Sequence, residues 1–96
     1  MWFYALVDVE LDDCIQDDKP VLGALVHLYI QAPNYEDAKL QAPTLARERT
    51  VSMGVDPSSL STTSVDVLRH IRRRPRQYNF FGPIIEPGFA FYGGSE

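Results

Sequence analysis

His27 and His70 are the only histidines of this chain and Cys14 its only cysteine. Two runs of charged residues stand out beside them: Asp12, Asp13, Asp17 and Asp18, and then Arg69, Arg72, Arg73, Arg74 and Arg76. A neutral imidazole serves as a general base when a neighbouring carboxylate fixes its tautomer. His27 would find such a carboxylate in Asp8, with Tyr4 and Tyr29 alongside, if the segments carrying them pair as strands. The same residues suit a histidine satisfied within an aromatic interface, and that is the preferred reading. Cys14 lies among acids that disfavour its thiolate, the opposite of an activated nucleophile. The four aspartates lack the spacing, the glycine and the distal glutamate of an EF-hand, so they read as a solvated loop and no metal is expected.

The arginines, with His70 and Tyr78 among them, form the densest basic cluster. Arginine forks bind phosphates and aromatic faces stack on bases, so nucleic acid is one coherent partner. The acidic total, net −4, and the absence of any RNP-like, KH-like or helix-turn-helix pattern argue against it. An acidic protein surface, or this chain's own acidic loop, fits the patch better. No Gly-rich phosphate loop, GxSxG elbow or HExxH is present, and no cofactor is expected.

The elements that must position these groups are legible. From Trp2 to Leu11 the odd residues Phe3, Ala5, Val7, Val9 and Leu11 are apolar, which is a strand with one buried face. From Val21 to Ala32 the even residues Leu22, Ala24, Val26, Leu28, Ile30 and Ala32 form a second such row. Antiparallel pairing with both rows on one face requires partners that sum to an odd number near 33. Tyr4 then meets Tyr29, Leu6 meets His27, Trp2 lies beside Gln31, and Asp8 is diagonal to His27. Residues 12–20 between the strands read as a loop too long for a tight turn.

After Ala32-Pro33, Asn34 is a good N-cap with Glu36 and Asp37 behind it. The helix that follows brings Tyr35, Ala38, Ala42, Leu45, Ala46, Arg49 and Met53 onto one arc, and Pro43 predicts a kink or a break within it. Leu40 and Val51 fall outside that arc, and Gly54 is a natural stop. Residues 55–64 read as a loop with a turn at Asp56-Pro57. For 65–73 a short helix is preferred, because Thr63-Ser64-Val65-Asp66 resembles a cap and arginines favour its C-terminal end. The alternation of Val65, Val67, Arg69 and Ile71 leaves a strand open. Short strands from Tyr78 to Tyr92 complete the sheet.

The whole, residues 1–96, reads as a single α+β domain: an antiparallel sheet of about four strands with helices on one face, ferredoxin-like or similar. Charge is segregated, with eight acids and one lysine in residues 1–37 and eight basic residues against three acids in 38–76. The N-terminus lacks a basic n-region and no apolar run is long enough to span a membrane, so the chain reads as cytoplasmic.

The aromatic opening strand, V-H-L-Y-I-Q-A-P-N-Y-E-D-A-K at 26–39, Y-N-F-F-G at 78–82 and G-F-A-F-Y-G at 88–93 resemble a group of small uncharacterised bacterial proteins of the toxin-immunity type. That resemblance implies a small protein that works by binding, and it transfers no catalytic residue. The leading expectation is thus a non-enzymatic binding module of inhibitor or immunity type. Its contact face would be Trp2, Tyr4, Leu6, Leu25, His27 and Tyr29, set against a protein partner or, in a homodimer, a second copy. A C-terminal segment, Phe80 to Tyr92, folded back as a lid would be the other way to cover that face. The enzyme alternative is a small dimeric ferredoxin-like enzyme using His27.

Overall fold

The computed structural model describes residues 1–72 and 88–93 and the backbone of 78–79 and 82–83. Strands β1 (Trp2–Gln16), β2 (Lys19–Gln31), β3 (Leu60–Ile71) and β6 (Phe89–Tyr92) form one antiparallel sheet in the order β3-β1-β2-β6. One helix, α1 (Tyr35–Ser52), packs on one face of it, and β4 (Tyr78–Asn79) pairs with β5 (Gly82–Pro83) separately. The α+β class and the four-stranded antiparallel sheet are as expected. A ferredoxin-like chain runs β-α-β-β-α-β. The described residues instead open on two consecutive strands and contain one α-helix.

The expected register holds: Trp2 pairs with Gln31, Tyr4 with Tyr29, Leu6 with His27, and so on to Glu10 with Gly23. Beyond that pair, three residues of β1 oppose one of β2 before Cys14 meets Val21, a bulge at which Asp13 takes a positive φ of 52°. Bulges bend and twist a strand. The apolar row of β2 accordingly holds from Ala24 onward but fails at its start, where Val21 is buried and Leu22 is 54% exposed. The long loop expected over 12–20 is a hairpin arm closed by two residues. Asp17 and Asp18, with φ of 53° and 63°, make the turn between Gln16 and Lys19, and two successive positive φ values are what a type I′ hairpin needs.

Asn34 caps α1 by accepting from the Asp37 backbone N–H at 2.8 Å. The helix runs unbroken through Pro43, which has no N–H to donate to the Lys39 carbonyl one turn earlier. Ala38, Ala42, Ala46 and Thr50 are its fully buried stripe. Tyr35 and Met53, expected on that stripe, are exposed, because an i, i+4 row of small residues lets the helix lie close to the sheet and its ends overhang. Thr50 returns its hydroxyl to the Ala46 carbonyl at 2.8 Å. Against this stripe lie Phe3, Ala5, Val7 and Val9 of β1 and Ala24, Val26 and Ile30 of β2.

The helix expected over 65–73 is a strand as far as Ile71; Arg72 is a bend, and residue 73 lies outside the described residues. Asp56 caps a single 3-10 turn, Pro57–Ser59, by accepting from the Ser58 N–H at 2.9 Å. The chain then enters β3 directly, so residues 60–64, expected as loop, are sheet as well. The segment carries Thr62, Thr63, Val65, Val67 and Ile71, residues that favour a pleated surface, and β1 supplies the partner that a local reading cannot see. The lid is also corrected for residues 89–92, which extend the sheet edge beside β2. Val26 pairs with Phe89 and Ala24 with Phe91, so both phenylalanines join the helix side. The Arg49 guanidinium lies 6.0 Å from the Phe89 ring centre. The proposed lid's other residues, except the backbone of 82–83 and Gly88, lie outside the described residues.

Candidate interface on the face opposite the helix

Strand alternation and the two registers fix the rows of the face opposite α1. One row is Trp2 with Gln31 and Ile71, the next Tyr4 with Tyr29 and Arg69, then Leu6 with His27 and Val67. Asp8 with Leu25 and Ser64 follows, and Glu10 with Gly23 closes the series. Ala90 and Tyr92 of β6 extend the last two rows beside Leu25 and Gly23. The six residues expected to share a face therefore do: Trp2, Tyr4, Leu6, Leu25, His27 and Tyr29.

Tyr4 is the hub of the aromatic end. Its hydroxyl lies 2.7 Å from His27 Nδ1, its ring 5.8 Å from that of Tyr29 and 5.9 Å from the imidazole. The Arg69 guanidinium sits 5.2 Å from the Tyr4 ring centre, within cation–π range. With the proton on Nε2 the imidazole accepts from the tyrosine hydroxyl; once protonated it donates to it. His27 also fixes the sheet edge through its backbone, donating its N–H to the Gly88 carbonyl at 2.6 Å. Asp8, expected as the carboxylate orienting His27, instead accepts at Oδ1 from the Tyr92 hydroxyl at 2.6 Å. The phenol of Tyr4 stands where the carboxylate was anticipated.

Tyr92 marks the acidic end. Its ring lies over Gly23, where any Cβ would collide with the ring and hydroxyl, so glycine is what lets the tyrosine reach Asp8. Its titration is pushed up to about 12. Desolvation contributes most, followed by the hydrogen bond to Asp8 and the charges of Asp8, Glu10 and Asp66. Asp66 is the extra residue of a β3 bulge, between Val65 paired with Val7 and Val67 paired with Leu6. Sequence reading missed Asp66, Val67 and Tyr92 as members of this face. The G-F-A-F-Y-G stretch was the available signal for Tyr92 and the strand alternation of 65–71 for Val67; Asp66 reaches this face only through the bulge, for which the sequence carries no signal.

The arginine cluster is divided. Arg69 projects beside Tyr4, while His70, one residue on, pairs with Phe3 on the helix side, its ring 5.4 Å away. Successive strand residues point to opposite faces, so no single surface gathers the run. Arg72 is exposed just beyond β3, and Arg73, Arg74 and Arg76 lie outside the described residues. Cys14 is buried in the hairpin arm, where its sulfur lies 3.8 Å from Gln16 Nε2. Among the described residues no helix is long and apolar enough to cross a membrane.

Comparison of the chain with protein-family models, with curated proteins and with solved structures finds no match in any of the three.

Proposed function

We propose that this chain is a non-enzymatic protein-binding module of the inhibitor or immunity type, and that its contact surface is the sheet face opposite α1. The observation that carries this reading is the contrast between the two faces. The helix side buries Phe3, Ala5, Val7, Val9, Val26 and Ile30 almost completely. Opposite, Tyr4, Leu6 and Leu25 are only half-buried, Val67 is 37% exposed and His27 is exposed. An apolar band rimmed by polar groups on a sheet marks an interaction site rather than an ordinary solvated face. Tyrosines and an arginine at its centre are the residue types that anchor protein contacts. A protein fits better than a nucleic acid, since Asp8, Glu10 and Asp66 share the surface with Arg69 and would repel a phosphate backbone. The inhibitor or immunity type rests on the resemblance of residues 26–39, 78–82 and 88–93.

The test is affinity capture from the native host with the wild type and with a Tyr4→Asp, Leu6→Asp variant, both checked for folding by circular dichroism. A protein retained by the wild type and lost with the folded variant is the expected result. Equal retention by both, or a host enzyme activity that His27→Ala abolishes without unfolding the chain, refutes the proposal.

A further inference from the structure

We infer that the occupant of this face is a second copy of the chain, packed sheet to sheet about a two-fold axis that lies across the strands through the row of Leu6, His27 and Val67. The inference rests on the proposed binding role of the face and names what covers it when no target protein is bound.

Charge order along the strands is the first argument. Arg69 lies one row to one side of the Leu6 row. Asp8 and Glu10 lie one and two rows to the other side. Asp66 is in the bulge before Val67, and its charge is felt by the Tyr92 phenol beyond Gly23. A two-fold axis along the apolar row keeps each strand over its own counterpart but reverses its direction. Leu6 and Val67 then meet their own copies, Tyr29 faces Leu25 of the other chain, and Arg69 comes over Ser64, beside the bulge that carries Asp66 and next to Asp8. One patch is thus complementary to itself, as a two-fold contact requires, and its strand axes are nearly aligned, as in ordinary sheet packing.

Area is the second argument. Strands about 4.8 Å apart and rows about 6.8 Å apart, with β6 present in only the last two of the five rows, cover about 500 Å² of face. Two copies therefore bury about 1,000 Å² in total, the least that a specific interface is expected to bury. A reversible dimer in the micromolar range is the expectation for a contact of this size with one buried apolar band.

Sedimentation equilibrium of the full chain, from low to high micromolar concentration, reads the outcome directly. The wild type is expected to pass from monomer to dimer. Arg69→Asp or Asp66→Arg alone sets like charges against each other across the axis and should weaken association about tenfold or more. The two together exchange the charges and should restore most of it. Both positions are exposed, so folding is expected to survive, and urea unfolding of each variant verifies this. A wild type that stays monomeric overturns the inference, as does a folded double variant that associates no better than the singles. The first of these leaves the binding role of the face to be decided separately by the capture experiment, whose readout is loss of a retained protein from the Tyr4→Asp, Leu6→Asp variant.

Discussion

Replacing Tyr92 by phenylalanine removes one hydroxyl, and the geometry around that hydroxyl fixes how the loss depends on pH. In the folded chain the neutral phenol donates to Asp8 at 2.6 Å and titrates at about 12. In the unfolded chain it returns to the ordinary value of about 10. Between these values the unfolded chain has released the proton while the folded chain still holds it, so the folded state binds more protons and stability falls as pH rises. The contribution is complete below about pH 10 and is lost by about pH 12. A difference of that size corresponds to at most about 2.7 kcal/mol. Tyr92 is only half-buried, so solvent screening brings the expected contribution to about 1 kcal/mol. Urea unfolding of wild type and Tyr92→Phe from about pH 8 to about pH 12 isolates it, since every other tyrosine and lysine titrates in both proteins. The wild type should be the more stable by about 1 kcal/mol at the lower pH, with the two curves converging at the upper end. Gly23→Ala should abolish the same convergence, because the new methyl displaces the Tyr92 ring. A gap between the two proteins that stays constant with pH would refute the coupling of Tyr92 to Asp8.

Two further substitutions probe the sheet itself. Asp17-Asp18 replaced by Asn-Gly should raise stability by about 0.5–1 kcal/mol, because both positions take positive φ and Asn-Gly is the preferred type I′ pair; an unchanged or lowered urea midpoint would contradict the two-residue turn. Thr63 presents a buried hydroxyl without a hydrogen-bond partner among the described residues. Thr63→Val keeps its branched shape and should stabilise by up to about 1 kcal/mol, whereas a loss of stability would place a hydrogen bond at that oxygen.

The parts of the fold legible in the sequence are those governed by spacing along a single segment. Parity placed Phe3, Ala5, Val7 and Val9 on the core side and required β1–β2 partners to sum to an odd number, since a slip by one residue would have exposed the whole row; a slip by two preserves the faces, and parity does not choose between such registers. Asn34 announced the helix through its own side chain. Asp17 and Asp18 did not announce the turn, because aspartate tolerates a positive φ without requiring it. Only the pairing of Gln16 with Lys19 selects that conformation. Pro43 was overweighted for a similar reason: packing of Ala38, Ala42 and Ala46 on the sheet holds the helix together across the missing bond.

The misreading with the greatest consequence for function was at residues 65–71. Their local pattern fits a capped helix and an alternating strand about equally, and the choice is made by β1, some sixty residues earlier in the chain. As a helix, this segment would have gathered Arg69, Arg72 and Arg73 near one end and made them a basic patch, the natural ground for a nucleic-acid reading. As a strand, it sends His70 to the helix side beside Phe3. Val67 goes opposite Leu6, and Arg69 lies against the ring of Tyr4. A segment that looked like an independent cationic site thus becomes the third strand of the aromatic face, supplying its arginine, its central valine and, at the bulge, its aspartate. Positive and negative groups then lie on one surface on opposite sides of an apolar row. That order suits an oppositely ordered protein surface, of which a second copy turned end for end is the simplest, and it does not suit a uniformly charged polymer.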